Sequence, residues 1–251
     1  MKNDSRSIRG YIREAQYSLR ALFQSNSLKS KNKNIMVFGL GRTGSSFIGN
    51  VLSSSFNIKD CGEIFHYPVF NEKGILKNAL RASLMEKKAG IIFKLLTYQI
   101  EQNNISIKLI KESIIENNFL IINLTRDPFE QALSVCYSKS KNIWHKKKNN
   151  QIYESITIDT KSFIEQLNHL KTQLTVQDRL KNIFKDHIII RYEDFLSQDS
   201  IRENIRNIGG RLDIESYHPY DSSYKRLSKK GVTSRVKNLN SLRSIFEDFQ
   251  L

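Results

Sequence analysis

Residues 34–52 read NIMVFGLGRTGSSFIGNVL, and this stretch decides the fold class of the chain. Residues 35–38 form a short, continuous apolar run, which is typical of a buried strand in a parallel sheet. A glycine-containing turn follows at residues 39–44, and apolar residues then return at helical spacing. We therefore predict a strand, a turn and a helix in direct succession, an arrangement that directs backbone N–H groups at an anion.

Three further apolar runs resemble the first one and predict the rest of the sheet. They occupy residues 91–93, 119–122 and 188–190. Segments of helical length lie between them, at residues 45–55, 74–88, 108–117, 129–141, 160–185 and 200–209. Strands that alternate with helices indicate a parallel sheet covered on both faces. We predict one three-layer α/β domain over residues 34–251, preceded by a basic amphipathic helix and linker in residues 1–33.

The composition excludes several classes of protein. The chain has 251 residues, of which 39% are hydrophobic, with only 11 Gly and 3 Pro, so neither a disordered nor a fibrous protein is expected. No apolar run approaches the ~20 residues that span a bilayer. Two cysteines exclude a disulfide scaffold, and the histidines and cysteines lack the spacing of a metal site. Because no apolar signal core follows the N-terminus, we expect a cytoplasmic protein without a bound metal.

The positive charge is unevenly distributed. The chain carries 40 Lys and Arg against 25 Asp and Glu, a net charge of +15, and the excess lies in residues 1–33 and 222–246. Such clustering predicts local sites for anions, which include nucleic acids, a membrane surface and polyphosphorylated small molecules. We expect the N-terminal helix to pack on the domain or on a second copy of the chain in a homodimer, with contact to a membrane surface as the alternative.

Two nucleotide-binding patterns share the glycine turn. Gly39, Gly41 and Gly44 satisfy G-x-G-x-x-G, the dinucleotide fingerprint, and Asp60 follows near the distance expected of a ribose-binding acid. A nucleoside triphosphatase is disfavoured, because Ser45 stands where its loop needs a lysine. An NAD(P)-binding oxidoreductase therefore remains an alternative on the evidence of this loop. A nucleic-acid-binding module remains a second alternative on the evidence of charge.

Two segments elsewhere in the chain point to a different ligand. Arg126 follows the apolar run at residues 119–123, and Ser134 lies on the predicted helix that comes next. Near the C-terminus, residues 229–238 read KKGVTSRVKN, a basic loop that contains a glycine. A dinucleotide-binding unit requires neither segment. Together with the glycine turn, they resemble the motifs of PAPS-dependent sulfotransferases of the carbohydrate type, similar to bacterial trehalose-sulfotransferase-like enzymes.

The resemblance covers residues 34–238 and implies a P-loop-like domain that takes 3′-phosphoadenylyl sulfate (PAPS) as donor and releases PAP. It implies a 5′-phosphosulfate site made by the first loop, with the residues Gly41, Arg42, Thr43, Gly44, Ser45 and Ser46. It assigns the 3′-phosphate to Arg126 and Ser134, and it makes the third loop, with Lys229, Lys230 and Gly231, part of the binding site for the donor. In that loop, a lysine stands at position 229 where the family has arginine, and residues 234–236 replace Gly-Asp-Trp.

The implied reaction is in-line sulfuryl transfer to a hydroxyl of a carbohydrate or glycolipid acceptor. Negative charge develops on the departing 5′-phosphate, by analogy with phosphoryl transfer. Arg42, Ser45 and Ser46 are candidates to stabilise that charge without a metal. The acceptor hydroxyl needs a general base. Glu63 is the first candidate, since the trehalose type has a proposed base in this region, and His66 is the second.

Overall fold

The computed structural model describes residues 33–67, 71–142, 154–214 and 231–251. The strands are β1 (Asn34–Gly39), β2 (Lys59–Asp60), β3 (Ile91–Leu96), β4 (Phe119–Thr125) and β5 (His187–Arg191). They form one sheet in the order β2-β3-β1-β4-β5, in which every neighbouring pair is parallel. The predicted α/β class with a parallel sheet is confirmed. The predicted N-terminal helix lies outside the described residues.

Helices connect the strands and flank the sheet. They are α1 (Ser45–Phe56), α2 (Glu72–Met85), α3 (Thr97–Gln102), α4 (Ile107–Glu116), α5 (Pro128–Lys141), α6 (Thr160–Ile183), α7 (Gln198–Arg211) and α8 (Leu239–Asp248). Two short 3₁₀ helices cover Tyr192–Phe195 and Thr233–Arg235. Each of the six helices predicted between residues 45 and 209 is present within a few residues of its expected bounds. Sequence reasoning missed β2, α3 and α8. The first two are shorter than a detectable period, whereas α8 has apolar residues at helical spacing and could have been found from the sequence.

The alternation of side chains along β1 explains the layers. Ile35 and Val37 face one side of the sheet, where they join a core with α1 and α7. Met36 and Phe38 face the other side and join a core with α2, α4 and the end of α6. All four side chains are at most 1% exposed, so β1 is covered on both faces, as its continuous apolar run predicts. A third core joins α5, α6 and α8.

Parallel pairing places the carboxyl ends of β1, β4 and β5 at one edge of the sheet. Gly39 at the end of β1 pairs with Leu124 of β4, and Thr125 pairs with Arg191 of β5. A Cβ atom on Gly39 would lie 2.4 Å from the carbonyl oxygen of Leu124, so this close approach needs a glycine. The loops that follow these three strands therefore begin side by side, where α/β sheets commonly bind ligands.

Candidate functional site

The first loop, residues 40–44, turns sharply between β1 and α1. Gly44 has φ 78° and Arg42 has φ 65°, both in the left-handed region, which is costly for an arginine. The hydroxyl of Thr43 donates to the carbonyl of Leu40 at 2.8 Å and closes the turn. Among the described residues, no side chain caps α1 at Gly44. The first N–H groups of α1, at Ser45 and Ser46, are therefore available for an anion.

Arg126 and Ser134 lie directly against this first loop. The Nη1 of Arg126 donates to the backbone carbonyl of Arg42 at 2.8 Å, and the Nε of Arg42 donates to the hydroxyl of Ser134 at 3.3 Å. Asp127 caps α5 by accepting from the backbone N–H of Glu130, which starts the helix just after Arg126. The structure thus brings the first and second predicted segments into contact, although 84 positions separate Arg42 from Arg126.

The two guanidinium groups concentrate positive charge at the edge of the sheet. Burial, and then repulsion from Arg126, lower the pKa of Arg42 to about 10, so Arg42 still carries its charge at neutral pH. The Nε atom of Arg126 is buried and makes no hydrogen bond with any described residue. A buried donor without an acceptor is costly, and an anion with several oxygens would satisfy it. A phosphate or sulfate group therefore fits this pair of arginines.

Glu130 connects Arg126 to the third loop. One carboxylate oxygen, Oε2, lies 3.6 Å from the Nη2 of Arg126, and the carboxylate also forms a hydrogen bond with Thr233. Gly231 has φ 81°, and a Cβ atom there would lie 3.8 Å from the carboxylate of Glu130. Gly231 is thus near the second segment, whereas Lys229 and Lys230 lie outside the described residues. Burial raises the pKa of Glu130.

Glu63 and His66 form a second cluster with α3. The Oε2 of Glu63 accepts from the hydroxyl of Tyr98 at 2.8 Å and from the Nε2 of Gln99 at 2.9 Å. The Nδ1 of His66 lies 3.4 Å from the same carboxylate oxygen. The ring of Tyr98 also borders the first loop, since a Cβ atom on Gly41 would lie 3.9 Å from its Cε1. The two candidate bases therefore lie beside the predicted donor site.

The hydrogen bonds set the protonation of this cluster. Burial alone would raise the pKa of Glu63, but hydrogen bonds from His66 and Tyr98, with the charge of Lys94, hold it below the usual value. Burial, and then the charge and hydrogen bond of Glu63, raise the pKa of Tyr98. At neutral pH, Glu63 is therefore a carboxylate and Tyr98 a neutral donor to it.

Asp60 is engaged in local contacts. Its Oδ1 accepts from the backbone N–H of Gly62 at 2.8 Å, and its Oδ2 lies 3.8 Å from the Nζ of the buried Lys94. β2, which ends at Asp60, is separated from β1 by β3. The dinucleotide fold places its ribose-binding acid on the strand next to β1. The position of Asp60 thus gives the oxidoreductase alternative little support.

Several site residues were missed by sequence reasoning. The ring of Tyr192 packs against Gly44, where a Cβ atom would lie only 2.3 Å from the Cδ2 of Tyr192. The Cζ of Arg126 lies over the same ring, 4.7 Å from its centroid. Gln131 donates to the carbonyl of Gly41 at 2.6 Å. Tyr192 directly follows the carboxyl end of β5, and this position in the sequence could have indicated a site residue. Tyr98 follows the apolar run at residues 91–93 and Gln131 precedes Ser134 on its helix, but no local pattern gave either residue a role.

No protein-family model matches the sequence. A search of curated proteins found no significant match.

Among the described residues, no helix is long and apolar enough to cross a membrane, and no group of three or more His, Cys, Asp or Glu side chains is arranged to hold a metal ion. Cytoplasmic location stays a prediction.

Proposed function

We propose that this protein transfers a sulfuryl group from PAPS to a hydroxyl of a carbohydrate or glycolipid acceptor. The contact between Arg42 and Ser134 is the observation on which the proposal depends most. It joins the loop matched to the 5′-phosphosulfate with the helix matched to the 3′-phosphate, at 3.3 Å. A ligand with phosphate groups at both ends of an adenosine would have cationic partners on each side. The buried Nε of Arg126, without an acceptor among the described residues, supports the same ligand.

The first loop would bind the 5′ end of the donor in a P-loop-like manner. The N–H groups at the start of α1 and the hydroxyls of Ser45 and Ser46 supply hydrogen-bond donors, and Arg42 supplies a charged fork. When bound, PAPS contributes the sulfuryl group and a 5′-phosphate as leaving group. The fixed donors of the loop stabilise the negative charge that develops there, and they need no reorganisation to do so. Gly41, Thr43 and Gly44 hold the turn in this shape.

The second and third loops would bind the 3′-phosphate. Arg126 reaches this region with its charge partly balanced by Glu130, and Ser134 offers a hydroxyl beside it. Gly231 lies against Glu130, which brings the basic loop close, and Lys229 and Lys230 are proposed to complete the site. The acceptor hydroxyl would approach from the side of Tyr98, where Glu63 and His66 are the candidate bases.

Transfer of radioactive sulfate tests the proposal directly. The purified protein is incubated with ³⁵S-labelled PAPS and a panel of glycans and glycolipids that includes trehalose, and PAP binding is measured by calorimetry. We expect PAP to bind and at least one acceptor to become labelled. The proposal is wrong if PAP does not bind and no acceptor is labelled.

Thermal shifts separate this proposal from its alternatives. A ligand at 100 times its Kd stabilises a protein by about 2.7 kcal/mol. We expect PAP to raise the melting temperature and NAD and NADP to leave it unchanged. An oxidoreductase would show the reverse pattern. A nucleic-acid-binding protein would bind oligonucleotides with an affinity that falls steeply with salt, in proportion to the phosphates contacted.

A further inference from the structure

The contacts of Glu63 separate the two candidate bases. Its Oε2 already accepts hydrogen bonds from Tyr98 and Gln99, and the Nδ1 of His66 lies 3.4 Å away. The Glu63 side chain is 23% exposed, compared with 45% for that of His66. A carboxylate stabilised by several donors has little tendency to accept another proton. Glu63 is therefore placed to orient a partner, and it is poorly placed to abstract a proton.

The geometry around His66 suits a base that is oriented by a carboxylate. Its Nδ1 lies 3.4 Å from both the Oε2 of Glu63 and the hydroxyl oxygen of Tyr98, so a proton on Nδ1 faces two acceptors. That tautomer leaves a lone pair on Nε2, which makes no hydrogen bond with any described residue. The rings of Tyr67 and Tyr98 stand edge-on to the imidazole, with centroids 4.7 Å and 6.5 Å away.

We propose that His66 is the general base of the sulfuryl transfer and that Glu63 is the residue that positions it; this inference rests on the proposed function. The Nε2 of His66 accepts the proton of the acceptor hydroxyl while the acceptor oxygen forms its bond to sulfur. The bond between sulfur and the 5′-phosphate oxygen breaks in the same displacement, and its electron pair leaves with PAP. The carboxylate of Glu63 stabilises the imidazolium that results, as in other carboxylate–histidine pairs.

The charged and titratable groups around His66 come from three elements. Glu63 and Tyr67 belong to the same loop as His66, Tyr98 comes from α3, and Lys94 of β3 acts on Glu63 by its charge. Among the described residues, Glu63 places a carboxylate oxygen 3.4 Å from the Nδ1 of His66. Removal of that charge should therefore lower kcat and leave the KM for the acceptor near its wild-type value. A purely structural role for Glu63 would instead also weaken the binding of PAP and of the acceptor.

One substitution and a matched control test the role of His66. His66→Asn keeps a donor near the Nδ1 position and removes the base, and His169→Asn makes the same change at an exposed position on α6. We use the acceptor that is labelled fastest in the glycan panel. His66→Asn should lower kcat by roughly 10²–10⁴-fold and leave the Kd for PAP unchanged. His169→Asn should change neither value.

The Glu63→Gln variant separates positioning from catalysis. We expect it to keep measurable turnover, with a lower kcat and with the KM for the acceptor and the Kd for PAP unchanged. The proposal is overturned if His66→Asn keeps kcat within a few-fold of the wild type, or if Glu63→Gln abolishes transfer while His66→Asn does not. Failure of the wild-type protein to bind PAP would instead refute the proposed function.

Carbethoxylation of histidines by diethyl pyrocarbonate tests the pairing of His66 with Glu63 without an acceptor substrate. The reagent attacks a neutral imidazole nitrogen, and the rate at which each histidine peptide is modified is measured by mass spectrometry. We expect His66 to react, and its rate of modification to change in Glu63→Gln while the rate at His169 stays constant. An unreactive His66, or a rate at His66 that Glu63→Gln leaves unchanged, would contradict the pairing of His66 with Glu63.

Discussion

Arg126 lies where the first and second loops meet, and its guanidinium has three partners. Nη1 holds the carbonyl of Arg42, Nη2 faces the carboxylate of Glu130, and the plane stacks on Tyr192. The first contact fixes a backbone that has a positive φ at Arg42, while the buried Nε remains for a ligand. At the scale of single residues, Arg126 thus has both a structural and a proposed binding role.

Replacement of Arg126 should separate the two ends of the donor. Charge-assisted hydrogen bonds contribute about 1.5–3 kcal/mol, so Arg126→Ala should weaken the binding of PAP by roughly 10–100-fold. Adenosine 5′-phosphosulfate lacks the 3′-phosphate, so its affinity should fall much less. That smaller loss would come from the Arg42 carbonyl, which no longer has its hydrogen-bond donor. Calorimetry with both ligands measures the difference. Arg202→Ala, at a side chain that is 71% exposed, is the control and should change neither affinity. Equal losses for both ligands would refute the 3′-phosphate role.

At the scale of elements, the turn between β1 and α1 depends on the packing of another segment. Tyr192 begins the 3₁₀ helix after β5, and its ring occupies the space beside Gly44. Gly44 leaves room for the ring because it has no Cβ atom, and it also adopts the left-handed φ at the start of α1 without strain. The loop that is proposed to bind phosphate is therefore shaped by its own glycines and by an element that lies far away in the sequence.

Alanine substitution should distort this turn. In Gly44→Ala, the new Cβ would lie 2.3 Å from Tyr192 at a φ of 78°, and such strained positions cost about 1–3 kcal/mol. We expect the free energy of unfolding in urea to fall by that amount, with a marked loss of PAP affinity. Gly210→Ala in α7 is the matched control, because its Cβ would meet nothing within 4 Å and alanine favours a helix. A Gly44→Ala variant as stable as Gly210→Ala would contradict this explanation.

At the scale of the whole molecule, the C-terminal segment joins the domain core and the third loop. Val236 forms an isolated bridge with Ile156, and the side chain of Asn238 exchanges two hydrogen bonds with the backbone of Ile158. After these contacts, α8 packs in the core shared with α5 and α6. The segment is thereby held beside Arg126 and Glu130 by burial at α8, although it follows them by about a hundred residues.

Removal of the buried leucine of α8 should weaken the whole domain. Leu242 is fully buried, and Leu→Ala changes in a core cost about 2–5 kcal/mol. We expect Leu242→Ala to lose that much unfolding free energy in urea. Leu251→Ala is the control, because Leu251 is 42% exposed and a surface change should stay within about 0.5 kcal/mol. If both variants were equally stable, α8 would not be part of the cooperative core.

Local sequence patterns were sufficient for the α/β class, for four of the strands and for the glycine turn. A continuous apolar run and a left-handed glycine depend on neighbouring residues, so they are readable without a structure. The contact of Arg42 with Ser134, the stacking of Tyr192 under Arg126 and the contacts of His66 with Glu63 and Tyr98 depend on strand order and helix packing. The tertiary structure decided these, because long-range burial determines which strand ends become neighbours.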